Sequence, residues 1–324
     1  MFFTVLVLGT LMSISSMSWM CAWIGLEINM LSFITLMKSP NNKYSSESIS
    51  KYFMTQAMAS FILLFSIIMY SNSKSFNYTL NNFSSSMMSM SIFMKMGASP
   101  LHFWFPEVAS GISWDSNLIL LTIQKIAPMI LLSYMKMMPS LMILFILSSS
   151  IVGSLLGLNQ MCLRKILAYS SINHMSWMLS SMLCSMSTWL IYFFTYSIMN
   201  LVIINTLKSW KIYTLPQMNN IKHSTNKTIF MLNFFSLGGL PPFLGFLPKW
   251  ITINQLSNSS FFFLSTLLIS FTLITLFFYL RMSFSSLTLY SSNPFIKKFN
   301  NKLLMSMITL TAMPVWISTS LLIL

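Results

Sequence analysis

The chain has 324 residues, of which 55% are hydrophobic and only 7% charged, with a mean hydropathy of +0.73. Soluble domains carry roughly a quarter charged residues, so this balance excludes an ordinary soluble protein and implies an all-α polytopic membrane protein. Eighteen Lys plus Arg against four Asp plus Glu give a net charge of +14; topology accounts for that excess, and no nucleic-acid partner is expected.

Apolar stretches follow one another near 1–19, 20–37, 49–71, 83–110, 115–137, 139–157, 164–183, 187–207, 228–256, 259–281 and 303–322. Each is long enough to cross a hydrocarbon core of roughly 30 Å as a helix, so about eleven transmembrane helices are expected. With the N-terminus on one side, that side's loops hold Lys38, Lys43, Lys51, Arg164, Lys165, Lys208, Lys211, Lys222, Lys227, Arg281, Lys297, Lys298 and Lys302. The other side holds only Lys74 and Lys136. Excess Lys and Arg mark the side of insertion, which places the N-terminus in the cytoplasm or its mitochondrial equivalent, the matrix, and the C-terminus opposite. The opening Met1-Phe2-Phe3 carries no basic leader or cleavage motif, so the first span is expected to be retained.

Several function classes are excluded by what the connections lack. There is no G-x-G-x-x-G after a strand and no phosphate-binding G-x-x-x-x-G-K-[ST]. Cys21, Cys162 and Cys184 are odd in number and scattered, which argues against a disulfide framework, a metal site or an iron–sulfur cluster. The 31 Met and 28 Phe residues are a compositional bias of the kind an AT-rich organellar gene produces.

Charge inside the spans carries the information. Glu27, Lys95, Lys125, His174 and Lys249 lie within the second, fourth, fifth, seventh and ninth stretches. A central lysine costs about 2.5–3.5 kcal/mol even on translocon-based scales, so three of them on separate helices imply contact with water or with one another. Lys249 could instead snorkel toward headgroups, and His174 reads equally as a hydrogen-bonded core histidine or as a relay group.

Two spans read as broken. Lys95 to Glu107 contains Gly97, Pro100 and Pro106, and Gly238 to Lys249 contains Gly239, Pro241, Pro242 and Pro248. Proline deletes a backbone donor and glycine loosens the turn, so both helices are expected to unwind where only protein or a wet cavity can satisfy the carbonyls. Gly97, Pro100 and Pro106 match Gly239, Pro242 and Pro248 at a constant offset of 142 residues. Corresponding interruptions point to an internal repeat with its site at the broken helices. The expected organisation is two inverted five-helix repeats, 1–137 and 138–282, followed by a loop and C-terminal helix at 283–324.

The segments Trp23 to Met30, Lys95 to Val108, Gln124 to Pro128, Leu158 to Gln160, Leu163 to Met175 and Leu237 to Trp250 resemble the subunit 2 family of mitochondrial NADH:ubiquinone oxidoreductase, respiratory complex I. The resemblance spans nearly the whole chain. It implies an antiporter-like, proton-translocating subunit of the inner membrane, in which Glu27 pairs with Lys95, Lys125 sits at the centre and Lys249 ends the path. It also implies that NADH, FMN, iron–sulfur clusters and ubiquinone are bound by partner subunits, with no cofactor in this chain. Neighbouring membrane-arm subunits and lipids such as cardiolipin are the expected partners. Glu107 and Asp115 are read as matrix-side loop carboxylates. The rivals are a stand-alone or Mrp-type cation/proton antiporter and a purely structural scaffold, which would not need five buried ionisable groups.

Overall fold

The computed structural model describes residues 1–39, 43–73, 78–135, 138–220 and 224–288. The expected span at 303–322, most of the loop before it, and Lys74, Lys136 and Lys222 lie outside the described residues. Among the described residues the regular elements are helical: α1 (Phe2–Ser15), α2 (Trp19–Met37), α3 (Lys43–Ser73), α4 (Tyr78–Met96), α5 (Trp104–Gly111), α6 (Trp114–Leu121), α7 (Ile123–Ser133), α8 (Pro139–Gly157), α9 (Leu163–Cys184), α10 (Met186–Trp210), α11 (Ser224–Gly238), α12 (Phe246–Asn258) and α13 (Phe262–Thr288), with a short 3-10 helix at Leu215–Asn220. The chain gathers into two compact units, Met1–Phe145 and Ile146–Leu324.

Six described stretches are long and apolar enough to cross a membrane: Trp19–Met37, Lys43–Ser71, Trp114–Ser133, Pro139–Gly157, Met186–Trp210 and Phe262–Phe284. The other expected spans fall short for different reasons. Residues 1–19 yield a helix of only 14 residues. The fourth and ninth are interrupted, and α9 is long enough at 22 residues but carries Arg164, Lys165, Asn173, His174 and a series of serines. Every position of α9 from Ser170 to Ser181 is buried, so its polar side chains meet protein rather than lipid. Serine is tolerated there because its hydroxyl bonds back to its own helix. Ser176 Oγ donates to the Asn173 carbonyl at 2.6 Å and Ser180 Oγ to the Trp177 carbonyl at 2.9 Å. In α4, Ser91 Oγ donates to the Met88 carbonyl at 2.6 Å in the same way.

The two Gly/Pro clusters do interrupt helices, and they do so alike. Gly97 (φ +73°) ends α4, and Gly239 (φ +77°) ends α11. The Gly97 amide donates to Met94 O at 3.2 Å and the Ala98 amide to Phe93 O at 3.1 Å; the Gly239 amide donates to Ser236 O at 3.0 Å and the Leu240 amide to Phe235 O at 3.3 Å. These are paired Schellman endings. Pro100 lies in the turn between α4 and α5, and Pro241 and Pro242 in the turn between α11 and α12. The second half-helices also start in register, α5 at Trp104 and α12 at Phe246.

A third interruption was not apparent in the sequence. The expected span at 115–137 divides at Thr122 (φ −117°, ψ −79°) into α6 and α7. Thr122 Oγ1 donates to Leu118 O at 2.7 Å and its amide to the same carbonyl at 3.1 Å. Within α7, Pro128 has no N–H to offer the Gln124 carbonyl one turn earlier.

Gly239→Ala is expected to reduce accumulation of assembled protein. Its Cβ would lie 2.8 Å from Lys249 Cδ and 2.9 Å from Nζ, on top of about 1–2 kcal/mol for left-handed backbone. Gly238→Ala, whose Cβ meets nothing nearer than 3.5 Å, is the control. Quantitative native gels check the pair, and equal accumulation would contradict the packing.

Candidate functional site

Lys95 occupies the last turn of α4, two residues before Gly97, and is 8% exposed. Among the described residues its Nζ makes no hydrogen bond or ion pair. With Asn29, Tyr52, Gln56, Gln124 and Pro128 it lines a cavity of about 20 Å³, enough for one water molecule. Glu27, on α2, lies within electrostatic reach of both Lys95 and Tyr52. It makes no direct ion pair with Lys95; its Oε1 is buried and accepts no hydrogen bond among the described residues. Glu27 and Lys95 are thus close enough to interact electrostatically without a direct contact.

The carbonyls released at the first break have specific donors. Trp104 Nε1 donates to Met94 O at 3.1 Å, alongside the Gly97 amide. Gln56 Nε2, on α3, donates to Lys95 O at 3.3 Å. Tyr52, one turn before Gln56, sets its ring edge-on against Trp104 (5.7 Å) and Phe33 (5.2 Å). From α7, Gln124 Nε2 donates to Asn29 Oδ1 at 2.8 Å, and Tyr52 Oη stands 3.5 Å from Gln124 Oε1. Lys125 is 1% exposed. Its Nζ lies 5.6 Å from the Phe105 ring centroid, and a Cβ on Gly97 would stand 3.1 Å from that same side chain. Lys125 thus approaches the break that carries Lys95.

The second break is satisfied by a charge. Lys249, in the first turn of α12 and 6% exposed, reaches back so that Nζ donates to Gly238 O at 3.0 Å and Leu237 O at 3.4 Å. An ammonium there also meets the negative end of the α11 dipole. Nζ stands 5.9 Å from the ring centroid of Trp177. His174, one turn earlier on α9, has Nδ1 2.8 Å from Tyr192 Oη and its ring 5.0 Å from that of Tyr196. His174 is therefore a hydrogen-bonded buried histidine, which by itself is compatible with a relay.

The equivalent positions are chemically unlike. Leu237 O, 142 residues beyond Lys95 O, receives an ammonium where Lys95 O receives a neutral amide. Glu107, 142 residues before Lys249, belongs to the first turn of α5 rather than to a loop. It and Glu47 both contact Lys51 Nζ at 2.7 Å in an exposed cluster. Asp115 likewise sits in the first turn of α6, where a carboxylate suits the helix N-terminus. Among the described residues no three His, Cys, Asp or Glu are grouped to hold a metal.

Sequence reasoning gave no role to Asn29, Tyr52, Gln56, Trp104 and Gln124. Asn29, Trp104 and Gln124 lie within the segments that carry the resemblance, whereas Tyr52 and Gln56 carried no signal.

Residues 16–276 match the family described as NADH:quinone oxidoreductase/Mrp antiporter, transmembrane. The chain is 47% identical over 309 residues to NADH-ubiquinone oxidoreductase chain 2 of Anopheles gambiae, covering 93% of this chain and 90% of that one. It is 43% identical over 311 residues to the chain 2 of Locusta migratoria, covering 95% and 91%. Its fold is similar to a chain of respiratory complex I from Thermus thermophilus with bound aureothin (TM-score 0.84, 20% identity, 95% of this chain and 74% of that one). It is also similar to a chain of the Mrp complex from Dietzia sp. DQ12-45-1b (TM-score 0.76, 14% identity, 86% and 58%).

Lys249→Met removes the donor to two carbonyls, a change worth about 1–3 kcal/mol when an acceptor is left buried and unsatisfied. Amide hydrogen exchange at Gly239 and Leu240 is expected to accelerate about tenfold or more. Unchanged exchange would show that the ammonium does not hold the break.

Proposed function

The chain belongs to the NADH:quinone oxidoreductase/Mrp antiporter family of membrane proteins, and on that premise we propose that it is an antiporter-like membrane subunit of respiratory complex I. It carries protons through the series Glu27, Lys95, Lys125, His174 and Lys249, of which the last four are buried. In that complex electrons pass from NADH to ubiquinone, and the flavin, iron–sulfur and quinone sites that supply this chemistry belong to partner subunits. The observation that carries the reading is Lys95, a buried lysine at a helix break. It borders a water-sized cavity and is within reach of a carboxylate it does not touch.

An ammonium stripped of water tends to give up its proton, and a nearby carboxylate favours keeping it. A carboxylate that acts without contact can change its influence through a small displacement, whereas a closed ion pair would have to be broken first. Lys95 is the switched donor in this scheme. Lys125 and His174 relay, and Lys249 delivers the proton toward the opposite side.

The organisation proposed with this function has eleven spans in the inner mitochondrial membrane, with the N-terminus in the matrix and the C-terminus in the intermembrane space. The halves are inverted repeats, 1–137 and 138–282, and 283–324 forms an appendage. The matching Schellman endings at Gly97 and Gly239 support the repeat, and the basic bias of alternate loops supports the orientation. Neighbouring membrane-arm subunits, and lipids such as cardiolipin, are the partners. An Mrp-type antiporter shares the fold, but sequence identity of 47% over nine-tenths of an NADH-ubiquinone oxidoreductase chain favours complex I.

Lys95→Met tests the function. In complex I reconstituted into liposomes and driven by NADH and quinone, proton uptake is expected to fall at least about tenfold, with assembly preserved. Undiminished uptake would reduce the chain to a scaffold.

A further inference from the structure

The polar side chains around Lys95 that the proton path does not itself use form a connected set. Gln124 is its hub. From α7 it donates through Nε2 to Asn29 Oδ1 at 2.8 Å and places Oε1 3.5 Å from Tyr52 Oη. Asn29 is two residues beyond Glu27 on α2 and is 3% exposed. Tyr52 leans on Trp104, whose indole caps the Met94 carbonyl at the first break. A single uncharged side chain thus ties the helix of Glu27 to that of Tyr52.

Further features bear on what can occupy this place. Good O–H···O bonds fall near 2.5–3.0 Å, so the Tyr52–Gln124 contact of 3.5 Å is a long bond that leaves Tyr52 Oη capacity for a second partner. The cavity of about 20 Å³ beside both residues is bordered by Asn29, Gln56 and Lys95 as well, and a buried water needs about 10–15 Å³ and two to four polar partners. Pro128, on the same cavity wall, also denies the Gln124 carbonyl its helical donor. That leaves an additional acceptor on α7 for water or for a neighbouring donor.

We infer that Gln124, braced by Asn29 and Tyr52, is a positioning residue that holds a water against Lys95 and so serves the transfer of its proton. This rests on the proton-path reading above. In the transfer an N–H bond of the Lys95 ammonium breaks as an O–H bond to the water forms. The water releases another of its protons to the next base of the proposed path, Lys125, which must then be in its neutral form, so the water's own charge is unchanged and no electron moves. An amide suits this task because it both donates and accepts but takes no proton itself, and it costs less to bury than a charge.

The test uses intact complex I in liposomes carrying Gln124→Met, which keeps the side-chain length and removes its polar atoms, and separately Tyr52→Phe. Proton uptake and its solvent deuterium isotope effect are read together with Lys95→Met. Gln124→Met is expected to assemble, to pump about tenfold more slowly and to show a larger isotope effect, because proton transfer becomes limiting. Tyr52→Phe should shift both readouts in the same direction by less. If Gln124→Met does not assemble, Tyr52→Phe carries the test by the same criteria. Wild-type pumping and isotope effect in the polar-atom deletions, with Lys95→Met impaired, would overturn the inference alone. A loss of pumping only in proportion to lost complex, with the isotope effect unchanged, would reduce Gln124 to a structural residue and overturn it too. Normal pumping by Lys95→Met would instead sink the proton-path reading on which it rests.

Discussion

A backbone carbonyl released inside a bilayer has no water to bond, and leaving it unsatisfied costs several kcal/mol. Gly97 and Gly239 each end a helix in the left-handed region, and each releases carbonyls that must then be satisfied from within the protein. The placement of the polar residues follows from that need. The first break draws in the Trp104 indole and the Gln56 amide, and in doing so fixes α3 and α5 around Lys95. The second draws in the Lys249 ammonium, so there the group that satisfies the backbone is itself ionisable.

This difference between the breaks gives the two units different capabilities. At the first, the lysine's own amine caps no carbonyl among the described residues and borders a small polar cavity, with Glu27 within electrostatic reach. At the second, loss of the proton from Lys249 would remove an ion–dipole contact with the end of α11, so proton occupancy and the geometry of that break are linked. A buried lysine is expensive. These surroundings offset the cost in two ways, with a cavity that admits water at Lys95 and with backbone dipoles at Lys249.

Much of this was legible in the sequence because it rests on local chemistry. Gly and Pro at constant spacing gave both breaks, and ionisable residues in apolar runs singled out Glu27, Lys95, Lys125, His174 and Lys249, the last four of which the structure buries. The break at Thr122 was missed because a threonine within an apolar helix usually bonds back to its own turn without interrupting it. The bond from Gln124 to Asn29 spans 95 residues, and that from Gln56 to Lys95 spans 39. No periodicity announces such partners, since they depend on which helices meet. Glu107 and Asp115 were read as loop carboxylates, but each falls in the first turn of a short helix, where a carboxylate suits the helix N-terminus.

The central claim is that Glu27 acts through Lys95 rather than as an independent carboxylate. The most direct measurement compares Glu27→Gln, Lys95→Met and the double variant for NADH-driven proton uptake in liposomes. Groups acting as one unit are non-additive, so Glu27→Gln should slow uptake when Lys95 is present and should change nothing further when Lys95 is Met. If the double variant falls below Lys95→Met by the same factor that Glu27→Gln produces alone, the two residues work separately and the coupled switch is wrong.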